Sequence, residues 1–186
     1  MSIEREKTNT KEKEDIIKQI KEDADWDASD LPQEYRGDKD VILAAVEEDG
    51  LALEYATQEL KEDEEIVNTA IEQYGDAFQH AAEHLRDDED IALKAIKGWY
   101  VEYTVFEDEK GDQYTRSVVK KNSHLLKYVS ERLIYDEDFL LKIIKEDFNA
   151  IQYVPEELQA NPNFLQKAIK TNDAIRRHLP KDKVVK

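Results

Sequence analysis

The side chains best placed to do chemistry are those of His80-Ala81-Ala82-Glu83-His84. On a helix, H-x-x-E-H puts two imidazoles on one face with a carboxylate between them, the order found in inverted zinc peptidases. His80 and His84 are therefore the candidate metal ligands, and a zinc-dependent hydrolase is one reading of the chain. A second group is acidic: Glu62-Asp63-Glu64-Glu65, Asp87-Asp88-Glu89-Asp90 and Asp136-Glu137-Asp138. These clusters lack the D-x-D-x-D-G pattern of a calcium loop. Asp63, Glu64, Asp88 and Glu89 are instead candidates for meeting a basic protein surface, with charge steering the encounter. The bland account is that they cap helices and face water. The third group is aromatic. Trp99, Tyr100, Tyr103, Phe106 and Tyr114 are five of the 16 aromatics of the chain, gathered within residues 98–120. Such clusters are favoured at binding hot spots, although the rings can equally pack a segment onto its own fold. The chain has no glycine-rich phosphate loop, cysteine nucleophile or Ser/His/Asp constellation, and His124 and His178 are isolated.

Composition narrows the partners. The formal net charge is −17 over 186 residues, which argues against a nucleic-acid backbone and favours a basic partner or simple solubility. Residues 161–186 hold seven Lys or Arg against two Asp, a net +5, which leaves −22 for the first 160. That asymmetry permits self-association. There are no cysteines, which fits a reducing compartment, and a cytoplasmic location is expected. No run approaches the roughly 20 apolar residues of a membrane helix. The opening MSIEREKTNTKEKED has no apolar stretch of the kind a secretory signal needs.

The elements that must position these groups follow from a repeat. Ile16, Val41, Ile66 and Ile91 stand 25 apart, as do Phe139 and Phe164. Asp38, Asp63, Asp88, Asp136 and Asn161 occupy the slot of a helix N-cap, and Pro162 follows as a first-turn proline. Val41, Ile42, Ala45 and Val46 form the helical stripe of a first helix. Asp49-Gly50 and Tyr74-Gly75 read as its end, with glycine taking a left-handed turn. A shorter second helix carries Ala52-Leu53-Glu54-Tyr55-Ala56 and its copies at 77, 125 and 150. Pro32, Pro155 and Pro180 should break it before a last turn that packs Leu60, Leu85, Leu133 or Leu158. On this alignment His80 is the counterpart of Tyr55, Tyr128, Tyr153 and His178, the aromatic of the second helix. That weakens the zinc reading.

The repeats fall near 14–35, 38–60, 63–85, 88–133, 136–158 and 161–180. Residues 1–13, wholly polar but for Met1 and Ile3, are expected to be disordered, and 14–186 to form a single repeat domain. The fourth repeat is interrupted by residues 98–120, GWYVEYTVFEDEKGDQYTRSVVK, rich in strand formers around Asp108-Glu109-Lys110-Gly111. This reads as a β-hairpin; the alternative is a first helix that runs on through Trp99 and Tyr103. Asp38 to Leu60, DKDVILAAVEEDGLALEYATQEL, resembles the repeat of the domain-of-unknown-function family numbered 4116. The resemblance rests on Asp38, Val41, Leu43, Ala44, Ala45, Val46, Gly50, Ala52, Leu53, Tyr55, Ala56, Glu59 and Leu60. It implies a short helical repeat and no activity, and the insertion departs from it. The expectation is an all-α, solenoid-like array of period 25 with one inserted hairpin. It would be a non-enzymatic protein–protein interaction module with no cofactor, no nucleic-acid or membrane partner, and a protein partner of basic surface. The alternatives are an immunity or inhibitor protein against a basic toxin or nuclease, and the zinc hydrolase.

Overall fold

The computed structural model describes residues 2–107 and 113–179, and within them the side chains of 2–9, 99–104, 106–107, 114 and 116–119 fall outside the description. The expected repeat is present. Its first helix is α2 (Lys39–Glu48), α4 (Glu64–Gln73), α6 (Glu89–Lys97), α8 (Glu137–Glu146) and α10 (Pro162–Thr171) in successive copies. Each begins at its expected cap. Asp38 accepts from the Asp40 and Val41 N–H groups, Asp63 from Glu65 and Ile66, Asp88 from Asp90 and Ile91, Asp136 from Phe139, and Asn161 from Asn163 and Phe164. These bonds satisfy donors that the first turn would otherwise leave orphaned.

The helix end is not built as expected. Asp49 is extended, with φ −137° and ψ 108°; its N–H still donates to the Ala45 carbonyl, while its carboxylate accepts from Leu51 N–H. One residue thus closes α2 and opens a six-residue 3-10 turn, Gly50–Tyr55. Gly50 has no positive φ, so the left-handed turn is corrected. The glycine serves a close approach instead: a Cβ there would meet the Ala70 carbonyl, with Tyr74 N at 3.0 Å, in the next repeat. The second helix of every complete repeat is this 3-10 turn, at Gly50–Tyr55, Gly75–His80, Ser123–Tyr128 and Phe148–Tyr153. Two extended residues follow, then a four-residue turn: α3 (Gln58–Lys61), α5 (Glu83–Arg86), α7 (Glu131–Ile134) or α9 (Glu156–Gln159). Leu60, Leu85 and Leu133 of that last turn are buried as the repeat predicts, whereas Leu158 of α9 is only partly covered. Pro155 caps α9, and Pro180 lies outside the described residues. Neighbouring repeats are also joined through backbone, Thr57 N–H donating to Arg36 O at 2.9 Å and Ala82 N–H to Lys61 O at 3.0 Å.

Two further expectations change. Residues 2–13, part of the stretch expected to be disordered, are the front of α1 (Ser2–Glu22). Its Glu, Lys and Arg residues are good helix formers, and they run without a break into Ile16, Ile17 and Ile20. The chain also divides into two compact units, Met1–Ile91 and Ala92–Lys186, where one domain is expected. In a repeat array each copy touches only its neighbours, so compactness is local by construction. In the first unit α1 packs on α2 and α2 on α4; in the second α8 packs on α7 and α10. Among the described residues, no helix is long and apolar enough to cross a membrane.

The interruption is a hairpin. Strands β1 (Trp99–Glu107) and β2 (Gln113–Lys121) pair antiparallel in unbroken register from Trp99↔Lys121 to Glu107↔Gln113.

Candidate functional site

The hairpin is spliced into the fourth repeat at a closed junction. In regular repeats the residue that ends the first helix donates its N–H back into that helix: Asp49 to Ala45 O, Tyr74 to Ala70 O, Asp147 to Ile143 O, Asn172 to Ala168 O. In the fourth repeat the chain after Gly98 leaves as β1. Asn122, which falls in the same repeat slot once residues 99–121 are passed over, reaches the same carbonyl through its side chain. Its side-chain Nδ2 donates to Ala95 O at 3.1 Å, and its N–H donates to Gly98 O at 3.3 Å. Asn122 is 3% exposed. A Cβ at position 98 would lie 2.9 Å from that Nδ2, so Gly98 is the residue that lets the amide reach the carbonyl. Just beyond, Ser123 Oγ donates to the buried carboxylate of Asp147 at 2.5 Å, tying the fourth repeat to the fifth. The sequence signal for this clasp is the slot alignment of Asn122 with Asp49, Asp147 and Asn172.

On the strands, the register puts Trp99, Tyr103 and Val105 at positions of one parity and Tyr100, Phe106 and Tyr114 at the other, with Phe106 opposite Tyr114. The five predicted aromatic side chains lie outside the described residues. Val105 is described and is 62% exposed.

The acidic candidates have intramolecular work. Asp63 caps α4 and also takes Lys39 Nζ at 2.7 Å, with Glu65 completing the fork at 2.8 Å. The Lys39 bond holds the Asp63 carboxyl below its usual range, and the two carboxylates hold the Lys39 ammonium above its own. One repeat earlier Lys13 does the same to Asp38, at 2.7 Å, and Asp40, at 2.5 Å. Asp88 is exposed and caps α6; Glu64 is exposed at the start of α4; Glu89 is partly covered. The structure thus makes Asp63 a cap and an inter-repeat tether, and leaves Glu64 and Asp88 facing outward.

The helix that H-x-x-E-H requires is absent. His80 ends the 3-10 turn, Ala81 and Ala82 are extended at ψ 151° and 155°, and His84 belongs to α5. The two imidazoles are carried by different elements, which corrects the single-face expectation. Among the described residues no group of three His, Asp or Glu could hold a metal. His80 is half-buried in its aromatic slot, and desolvation lowers its pKa below 6.5, with Glu54 raising it and Lys61 lowering it further. A histidine depressed on folding binds fewer protons folded than unfolded. The stability it confers is complete above the unfolded value of about 6.5 and is lost as pH falls through the lower folded value. The urea midpoint should therefore fall more steeply from about pH 7.5 to 5.5 in the native chain than in His80→Tyr, which installs the ring of Tyr55. Parallel pH profiles for the two proteins would refute the assignment.

The family model described as Domain of unknown function (DUF4116) matches residues 29–61, 38–86, 63–103, 116–159 and 136–182. The chain belongs to the DUF4116 family. Residues 104–115 fall between the matched segments; of these, 104–107 end β1 and 113–115 begin β2. No curated protein and no solved structure matches the chain. The array is thus a DUF4116 array, and residues 104–115 are where the matches to the family model leave a gap within it.

Proposed function

We propose that this DUF4116 chain is a non-enzymatic protein–protein interaction module whose hairpin carries the contact. The observation behind this reading is the division of labour along the sequence. Residues of the repeat are accounted for as caps, core, tethers and inter-repeat bonds, whereas β1 and β2 are additional to the repeat spacing and concentrate aromatic residues around residues 104–115, which fall between the matched family segments. Exposure of Val105 on the ribbon supports it. The charge of −17 favours a partner with a basic surface, as an inhibitor of a basic toxin or nuclease would have, and the absence of cysteine favours the cytoplasm.

The splice geometry supplies the experiment. Joining Gly98 directly to Asn122 removes residues 99–121 and restores the regular repeat spacing, with Asn122 in the capping slot. The excised chain should keep its helical circular dichroism and cooperative unfolding. Captured from cell extract, partners held by the intact chain should be missing from the excised one, and their retention should weaken as salt rises. Capture of the same partners by both chains would refute the hairpin as the contact.

A further inference from the structure

We infer that β1 takes an extended, basic segment of the partner protein as a third strand. This rests on the hairpin being the contact and names how that contact is made. Among the described residues the sheet has two strands, each paired only with the other. A two-stranded ribbon is marginal alone in water, and a third strand or a packed face is what makes such a ribbon firm. The two outer edges are not equivalent. β2, QYTRSVVKK, carries Arg116, Lys120 and Lys121, the kind of residues by which natural sheets discourage edge pairing. β1, WYVEYTVFE, contains no Lys, Arg, Pro or Gly, seven of its nine residues favour strands, and its register runs without a bulge. Its backbone therefore offers a long unguarded row of donors and acceptors for strand addition.

Charge selects the occupant. The charged residues of β1 are Glu102 and Glu107, and the first 160 residues of the chain carry −22. A strand added to β1 lies about 4.8 Å from these carboxylates' strand and about twice that from the basic β2. A lysine- or arginine-bearing segment is attracted there and an acidic one repelled.

The probe is a synthetic nine-residue peptide alternating lysine with valine and threonine. Binding to the intact chain is read by fluorescence anisotropy, and amide exchange is followed along residues 99–121. The peptide should bind at least about tenfold more tightly than its glutamate counterpart or its fully N-methylated form, which keeps the charges but has no backbone donors. Exchange should slow along 99–107 and stay unchanged along 113–121. Equal binding by the N-methylated peptide, equal binding to the chain lacking 99–121, or unchanged β1 exchange would each overturn strand addition. If the excised chain has nonetheless lost its captured partners, the hairpin reading stands while this inference falls. If the excised chain keeps them, the hairpin reading itself has failed.

Discussion

Phe139→Ala should lower the unfolding free energy by about 3–5 kcal/mol, among the largest losses a single truncation can cause. The ring is 1% exposed, at the third position of α8, in the slot filled by Val41 and Ile66 in earlier repeats. Its backbone N–H donates to Asp136 Oδ1 at 3.0 Å, and alanine keeps that bond. The loss is therefore one of ring burial and of the void left behind, not of capping. The void cannot close easily, because α8 is held on three sides by α7, α10 and the Phe148–Tyr153 turn. Phe139→Ile, which installs the residue of the third repeat, should recover part of the loss. Urea denaturation followed by circular dichroism measures both. Amide exchange should quicken around α7 to α10 first, since repeats are supported by their neighbours. An alanine variant that loses less than about 1 kcal/mol would show that the slot is not the packing centre its periodicity implies.

What could be read from the sequence follows from what is local. An N-cap needs an Asp or Asn three residues before a buried apolar one, and that pattern is visible in one dimension at Asp38, Asp63, Asp88, Asp136 and Asn161. The hairpin was visible for the same reason: strand formers around a glycine turn are a short-range signal. The choice between an α and a 3-10 second helix was not legible, because six residues satisfy either periodicity. The structure decides it through the extended residues Asp49 and Ala56 at the two ends. H-x-x-E-H misled for a related reason. Its spacing carries meaning only on a continuous helix, and Ala81-Ala82, both compatible with helix, are extended because Ala82 N–H bonds to Lys61 O of the preceding repeat. The tethers from Lys13 and Lys39 were hidden in the composition, where the acidic clusters read as unopposed charge.

Gly50→Ala should destabilise by about 1–3 kcal/mol, and the sign is the point. Local propensity predicts the reverse. Gly50 opens a 3-10 turn with no positive φ, and replacing such a glycine by alanine ordinarily stabilises by about 0.4–1 kcal/mol through the unfolded chain. Here the added methyl would meet the Ala70 carbonyl, with Tyr74 N at 3.0 Å and Tyr74 Cβ at 3.2 Å. Ala70 O already accepts the Tyr74 N–H at 2.8 Å, so that backbone is the closing bond of α4 and cannot yield without opening it. The methyl must push the third repeat off the second. The same slot holds Ser123 in the fourth repeat, but there the side chain is wanted, since its hydroxyl binds the Asp147 carboxylate. The two junctions differ in that one is made backbone to backbone and the other through side chains. Denaturation of Gly50→Ala beside Ser123→Ala separates the cases. The first should lose stability by intrusion, and the second by leaving a buried carboxylate short of a donor, about 1–3 kcal/mol. A stabilised Gly50→Ala would mean that the glycine answers to chain flexibility, not to the approach of the next helix.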